Sequence, residues 1–209
     1  MTNEEFSDRL MDNRKSIVKS LDKYSFEQKQ LAKKEAMDSV AEYSDALYQD
    51  KNDPVMGNPN GKHVVVEFID YNCRYCKKLA PTLERFIQLD PEAKVIVKEY
   101  PIFNNQPTSQ YSALMGTALF YYDQAKYSKF HHAVITQPKI TKESVEEVLF
   151  SLGIEKINLK PHLEKARDHI KKTRTLGVQL KVKGTPTVFV GVERMNGGFT
   201  AEDLIKMFN

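Results

Sequence analysis

Val66-Glu67-Phe68-Ile69-Asp70-Tyr71-Asn72-Cys73-Arg74-Tyr75-Cys76-Lys77 is the stretch on which the reading of this chain turns, and it holds the only two cysteines. Just upstream, His63 to Ile69 contains Val64, Val65, Val66, Phe68 and Ile69. A short apolar, β-branched run bounded by turn residues predicts a buried strand. Downstream, Lys77 to Leu89 carries Leu79, Leu83, Phe86 and Ile87 on one side and predicts a helix, with a kink at Pro81. Lys94 to Glu99 predicts a second strand. Strand, helix, strand is a βαβ unit, so the cysteines fall where a strand hands over to a helix.

A Cys-x-x-Cys pair has several chemistries. A closed zinc site typically takes about four ligands, and neither a second cysteine pair nor a His-x3–5-His spacing is present: His131 and His132 are adjacent. A purely structural disulfide across so short a loop constrains the unfolded chain little. A redox-active dithiol explains the position better. If the helix starts at Cys73, its sulfur meets unpaired N–H groups and the positive end of the helix dipole, which favours the attacking thiolate. Arg74 adds positive charge nearby, and Tyr75 shapes the surface between the cysteines or simply packs. Cys73 is then expected to be the exposed nucleophile and Cys76, one turn further in, the resolving thiol. The same thiolates could hold soft Cu(I); Met195 and Met207 are too scattered to form a copper-binding methionine set.

Further along, Gly184-Thr185-Pro186-Thr187 precedes an apolar run, and Thr187 to Val190 predicts a strand. An isolated X–Pro bond favours trans; its pairing with Cys-x-x-Cys is what predicts a cis Thr185–Pro186 bond. Residues 108 to about 177 read as mostly helical, too long for a simple crossover, and predict an inserted helical subdomain with Thr141 and Asn158 as N-caps. The aromatics Phe120, Tyr121, Tyr122, Tyr127 and Phe130 are assigned to its core. Asn196-Gly197-Gly198 signals a turn, and Thr200-x-x-Asp203 caps a last helix.

The opposite end has a different grammar. Pro54 and the Gly57 to Gly61 segment predict a loop or hairpin, and a domain boundary is placed there, giving a helical arm over residues 1–52 and a second domain over 53–209. Thr2-x-x-Glu5 fits a capping box and Ser25-x-x-Gln28 a second one. Phe6, Leu10, Ile17 and Leu21, then Ala32, Ala36, Val40, Tyr43 and Leu47, trace a thin apolar stripe on charged helix. Such a stripe cannot build its own core; it packs on its own domain or joins copies of the chain, and self-association is the reading preferred here.

The whole chain has 209 residues, 41% of them hydrophobic and 28% charged, with net charge +3. That balance is too mild to argue for nucleic acid, so no nucleic-acid partner is expected. The basic run from Lys165 to Lys183, broken by Asp168, reads as a solvated helix face or a rim guiding acidic partners. No stretch approaches the roughly 18 apolar residues of a membrane-spanning helix. Met1 to Ser25 lacks an apolar h-region, so the chain reads either as cytoplasmic or as a mature form whose signal was removed.

The segment from Val66 to Lys77 resembles the active-site region of thioredoxin-fold proteins of the DsbA-like class, closest to the bacterial DsbA/ScsC branch with an N-terminal helical extension. Pro54-Val55-Met56-Gly57-Asn58-Pro59, Lys98-Glu99-Tyr100-Pro101-Ile102 and Gly184-Thr185-Pro186-Thr187 agree with that resemblance, which covers about residues 53 to 209. It implies an α/β thioredoxin fold and Cys73 and Cys76 as the catalytic pair. It also implies Thr185 and Pro186 as the loop that contacts extended substrate, and Glu67 as a buried acid able to take a proton from Cys76. The residue reading alone leaves Glu67 equally at home facing solvent.

The resemblance further implies a periplasmic thiol–disulfide oxidoreductase with a removed signal, no cofactor, unfolded or misfolded protein substrates and a membrane redox partner. Threonine before the proline is common in isomerases and reductases of the superfamily, whereas the oxidase that names the class has valine. Arg74-Tyr75 departs from that oxidase's Pro-His and from the branch's Pro-Tyr, which leaves the direction of electron flow open. The expectation is a homo-oligomeric disulfide isomerase joined through residues 1–50, with a monomeric dithiol oxidase and a copper-binding stress protein as alternatives.

Overall fold

The computed structural model of the chain describes residues 2–103, 105–195 and 197–208; Asn196 of the anticipated turn lies outside the described residues. The polypeptide divides between Ser39 and Val40 into two compact units. The first contains helix α1 (Asn3–Asp12) and most of helix α2 (Arg14–Glu42). Thr2 caps α1 as the sequence predicts: its hydroxyl accepts from the Glu5 N–H and Glu5 returns a bond to the Thr2 N–H. The second cap does not form. Helix α2 runs straight through Ser25, whose hydroxyl donates to the Asp22 carbonyl at 2.8 Å within the helix. Phe6, Leu10, Leu21 and Leu31 are exposed on this unit.

The second unit is built on a five-stranded sheet. Strands β1 (Val55–Gly57), β2 (His63–Ile69), β3 (Ala93–Glu99), β4 (Thr187–Val190) and β5 (Glu193–Met195) lie in the order β1-β3-β2-β4-β5. β2 and β3 are parallel, joined by helix α4 (Arg74–Leu89), the anticipated βαβ unit; β4 runs antiparallel to β2. The segment around Pro54 to Gly61, expected as loop or hairpin, contributes edge strand β1, paired antiparallel to β3. Pro81 does not interrupt α4, which continues from Arg74 to Leu89. The proline sits on the exposed side, where water can serve the carbonyl left without a donor.

Side chains alternate across the sheet because the pleat has period two. Val65, Ile69, Val95, Val97 and Val188 face a core shared with α4 and with helices α5 (Pro107–Tyr122), α6 (Gln124–Ile135), α7 (Lys142–Ser151) and α10 (Ala201–Lys206). Val66, Phe68, Ile96 and Phe189 face a second core containing Val40, Leu47 of helix α3 (Ser44–Tyr48) and Leu176 of helix α9 (Leu163–Gln179). Both sheet faces are therefore covered, which is why β2 reads as an almost unbroken apolar run. The helices from α5 to α9, including the short α8 (Lys156–Leu159), form the inserted helical block of a thioredoxin-like α/β fold. Thr141 caps α7 as anticipated. Asn158 does not cap a helix; it lies inside α8, and its side chain accepts from the Glu155 N–H at 2.9 Å.

The second unit begins at Val40, which packs with Leu47 in its second core, and an ionic contact holds residues 46–53 beside them. Lys98 on β3 is 1% exposed. Its ammonium is held by the Asp53 carboxylate and by the Ala46 carbonyl at 2.6 Å, while the other Asp53 oxygen lies 2.9 Å from His169 Nε2 on α9. A buried charge must be paired, so Lys98 draws residues 46–53 onto the domain.

Helix α9 also approaches the end of β3 closely. A Cβ added at Gly177 would lie 2.4 Å from the Tyr100 ring. Gly177→Ala is expected to destabilise the domain by about 1–3 kcal/mol through overpacking, read as a fall in thermal midpoint.

Candidate active site

Cys73 is the N-cap of α4, as the helix-start reading requires. The loop that delivers it from β2 is fixed by Asp70, a buried carboxylate. Asp70 accepts from the N–H groups of Asn72 at 2.9 Å and Ile102 at 2.8 Å and from the Ser109 hydroxyl at 2.7 Å. The Asp70 carbonyl in turn accepts from the Cys73 N–H at 2.9 Å. Asp70 lay inside the quoted segment but gave no chemical signal of its own, because its partners come from the loop after β3 and from α5.

Both cysteines are free and buried. Cys73 is 3% exposed, which corrects the expectation of an exposed nucleophile. In its thiol form Sγ donates to the Thr185 carbonyl at 3.0 Å. The Thr185–Pro186 bond is cis, as expected. The pairing of Phe68 with Thr187 across β2 and β4 brings this loop, from far along the chain, beside Cys73. The Cys73 thiol is lowered to about 5: the Cys76 thiol as hydrogen-bond donor is the largest cause, and the N–H groups of Cys76 and Tyr75 add to it, together outweighing burial. Cys76, fully buried inside the first turn, is pushed far upward, first by burial and then by its bond to Cys73 and the charge of Glu67. One sulfur is thus a thiolate near neutral pH while its neighbour keeps its proton, the asymmetry that stepwise disulfide exchange needs.

Glu67 is 1% exposed, so of the two sequence readings the buried one holds. Its Oε1 has no hydrogen-bond partner. Burial, followed by the charge of Cys73, raises its carboxyl to about 8. Arg74 and Tyr75 are exposed, Tyr75 at 66%. In solvent the Arg74 charge is screened, and hydrogen-bond donors rather than this guanidinium account for the low Cys73 value. Lys78 Nζ lies 5.9 Å from the centre of the Tyr75 ring. Beside the pair opens a cleft of about 280 Å³, lined by Tyr75, Leu79, Pro186, Val188, Met195 and Phe199 among others. This apolar trough joins Tyr75 to the proline loop, and Met195 and Phe199 are contributions that sequence reasoning missed. Among the described residues no group of three or more His, Cys, Asp and Glu side chains could hold a metal ion, and no helix is long and apolar enough to cross a membrane.

A dithiol at a helix start, a facing cis-proline loop and a buried acid beneath them define a thioredoxin-fold thiol–disulfide site. Residues 64–208 match the DSBA-like thioredoxin domain. The chain belongs to the DsbA-like thioredoxin-domain family, a class of thiol–disulfide oxidoreductases. It is similar to the catalytic domain of Proteus mirabilis ScsC, with 26% identity and a TM-score of 0.74, covering 82% of this chain and 97% of that one. The thiol-disulfide exchange protein alpha-DsbA2 of Wolbachia pipientis is 27% identical with a TM-score of 0.76, covering 85% of this chain and 96% of that one. The thiol:disulfide interchange protein DsbC of Haemophilus influenzae is 26% identical over 141 residues, 67% of this chain. The chain spans about half the length of that curated relative, 49%.

Two titrations follow. The ultraviolet absorbance of the Cys73 thiolate is expected to appear with a midpoint near 5 in the reduced protein and to vanish in Cys73→Ser. Because the folded Cys73 value lies below the unfolded one, this thiolate stabilises the reduced protein above the unfolded value, and that stability is lost as pH falls through about 5. Glu67 has the opposite sign for a carboxyl: its folded value is raised, so keeping it buried costs increasingly more as pH climbs from 4.5 toward 8. Denaturant unfolding of Glu67→Gln against the parent should therefore show a stability difference that moves in favour of the variant over that window, by on the order of 4 kcal/mol.

Proposed function

We propose that this protein catalyses disulfide exchange in periplasmic proteins, working as a disulfide isomerase on unfolded or misfolded substrates. The observation that carries the exchange chemistry is the split between a Cys73 thiol lowered to about 5 and a Cys76 thiol raised by burial, with the Thr185 carbonyl 3.0 Å from the Cys73 sulfur. In this reading the Cys73 thiolate attacks a substrate disulfide, forming a mixed disulfide and releasing a substrate thiolate. Either a second substrate thiol displaces Cys73, leaving the substrate re-paired, or Cys76 resolves the intermediate, giving its proton to Glu67 and closing the Cys73–Cys76 disulfide. The Thr185–Pro186 loop aligns an extended substrate backbone, and the apolar cleft beside Tyr75 accepts its side chains.

The arm supports self-association. Leu10, Ile17, Leu21, Tyr24 and Leu31 recur at heptad-like spacing, and all but the partly covered Ile17 are exposed. Among the described residues from 2 to 39 none is buried, whereas another copy presents a matching stripe. Several sites facing one space suit an isomerase, since a misfolded substrate stays held while its cysteines are re-paired. The low Cys73 value favours a second reading, a dithiol oxidase, because a stabilised thiolate makes the reduced form more stable and the disulfide more oxidising. A third, Cu(I) capture by Cys73 and Cys76, rests on the two soft donors alone. A membrane redox partner would return the pair to its working state.

Reactivation of scrambled, fully oxidised ribonuclease by the reduced protein is expected, and expected to disappear in Cys73→Ser. Oxidation of reduced ribonuclease without such reactivation would establish the oxidase instead, and stoichiometric Cu(I) binding with no catalysed exchange would establish the metal site. Light scattering should give a mass above one chain for the full protein and one chain after deletion of residues 1–39; a monomer in both cases would remove the arm from the mechanism.

A further inference from the structure

The sheet face that carries Glu67 holds a second buried carboxyl that the exchange chemistry above does not use. Glu99 ends β3 and is 1% exposed. Its Oε1 accepts from the hydroxyls of Tyr71 and Tyr127, each at 3.0 Å, and its Oε2 has no hydrogen-bond partner. The Tyr71 hydroxyl also lies 3.3 Å from His131 Nδ1. Tyr71, Tyr127 and His131 are each no more than 2% exposed. A cluster of this kind, closed to water and only partly satisfied, is costly to keep as mere filler.

The register of the sheet puts Glu99 next to the catalytic acid. Glu67 pairs with Val97 and Ile69 pairs with Glu99 across the parallel β2–β3 ladder. Alternate residues share a face, so Glu67 and Glu99 are diagonal neighbours on the same face, the one turned toward α4 and Cys76. Two carboxyls in a dry core cannot both ionise cheaply; the proton that leaves first makes the second harder to remove. Only Glu99 has two phenol donors aimed at it, and donors favour the charged form.

We propose that Glu99, held by Tyr71 and Tyr127, is a positioning residue that sets when Glu67 can ionise and so when Glu67 can take the proton of Cys76. The inference rests on the reading that Cys73 attacks and Cys76 resolves. Negative charge settles first on Glu99, where the tyrosines support it, and this keeps Glu67 protonated to a higher pH than burial alone would. Burial raises the Glu99 carboxyl to about 8; the two tyrosine bonds oppose it and outrank the raising charges of Asp70 and, last, of Glu67. Asp70 is itself engaged by the Asn72, Ile102 and Phe103 N–H groups and the Ser109 hydroxyl. On α6, burial and then the charge of His132 hold His131 neutral, its value lowered to about 3, so His131 supplies no cation to the pair. On α5 the wall is Gly116, where an added Cβ would sit 3.3 Å from Glu99 Oε1, an approach without charge. On the side of the dithiol the facing groups are Cys73 and Cys76.

Rapid mixing of reduced protein with excess oxidised glutathione isolates the step. Cys73 thiolate breaks the glutathione disulfide, bonds one glutathione sulfur and releases the other as thiolate. Cys76 then loses its proton to Glu67, attacks Cys73, forms the Cys73–Cys76 disulfide and releases the second glutathione. The protein loses two electrons and oxidised glutathione gains them. The pH dependence of the second release is the readout, because a merely structural role for Glu99 would not move it.

In Glu99→Gln the midpoint of that profile is expected to fall by about one pH unit, with release ~3- to 10-fold faster on its acid side. Tyr127→Phe, which removes one donor and keeps the carboxyl, should shift it the same way by less. Glu67→Gln should erase the midpoint in either background. An unchanged midpoint in folded Glu99→Gln, or in Tyr127→Phe should the first variant fail to fold, overturns the inference while leaving the exchange chemistry intact. A midpoint that survives Glu67→Gln overturns it as well. No second release from the parent protein would sink the assignment of Cys76 as resolving thiol, and this inference with it.

Discussion

Strand β2 is hydrogen-bonded on both of its edges, and the site depends on that constraint. On one side the parallel ladder to β3 aligns Ile69 with Glu99; on the other the antiparallel ladder to β4 aligns Phe68 with Thr187. The first pairing fixes where α4 must start, because the βαβ crossover returns from the end of β2 with little slack. The second carries the Thr185–Pro186 loop to the same end of the sheet. A slip of one residue in either register would turn Glu67 to the opposite face and separate Cys73 from Thr185.

The chemistry follows from how unevenly that frame treats two identical side chains. Cys73 meets the Cys76 thiol and the free N–H groups of the helix start, so its charge is supported. Cys76 sits one turn deeper, where burial dominates and where Glu67 lies under it. In the proposed function, that asymmetry between the two sulfurs gives exchange its order. Cys73 is itself only 3% exposed, and the cleft that Pro186 and Tyr75 line opens beside it.

The buried polar groups show two uses of the same physics. Around Lys98, the Asp53 and His169 side chains close an ionic network that ties residues 46–53 to the sheet, a structural role far from the sulfurs. On the other face, Glu67 and Glu99 are each left with one carboxyl oxygen without a hydrogen-bond partner. A paired buried charge anchors chain segments; a carboxyl short of partners is the kind of group the proposed proton transfer requires. The difference lies in the partners each group finds, not in its type.

Local signals read correctly where the physics is local. The strand from His63 to Ile69, the helix start at Cys73, the caps at Thr2 and Thr141 and the Cys-x-x-Cys spacing each depend on residues within a turn or two of one another. Ser25 and Asn158 carried the same cap signal and failed, one overruled by an uninterrupted helix and the other placed within a helix rather than ahead of it. Glu67 was undecidable from its neighbours, because in a strand covered on both faces the alternation that separates inside from outside is lost. Glu99 gave no sign of function at all: Tyr71 is 28 residues away and His131 lies 60 from Tyr71. Those distances close only when β3 pairs with β2 and α6 packs over them. The chain's own spelling thus carries the reacting pair and the elements that frame it, whereas burial, proton affinity and the company each carboxyl keeps arise from contacts between segments that no local pattern records.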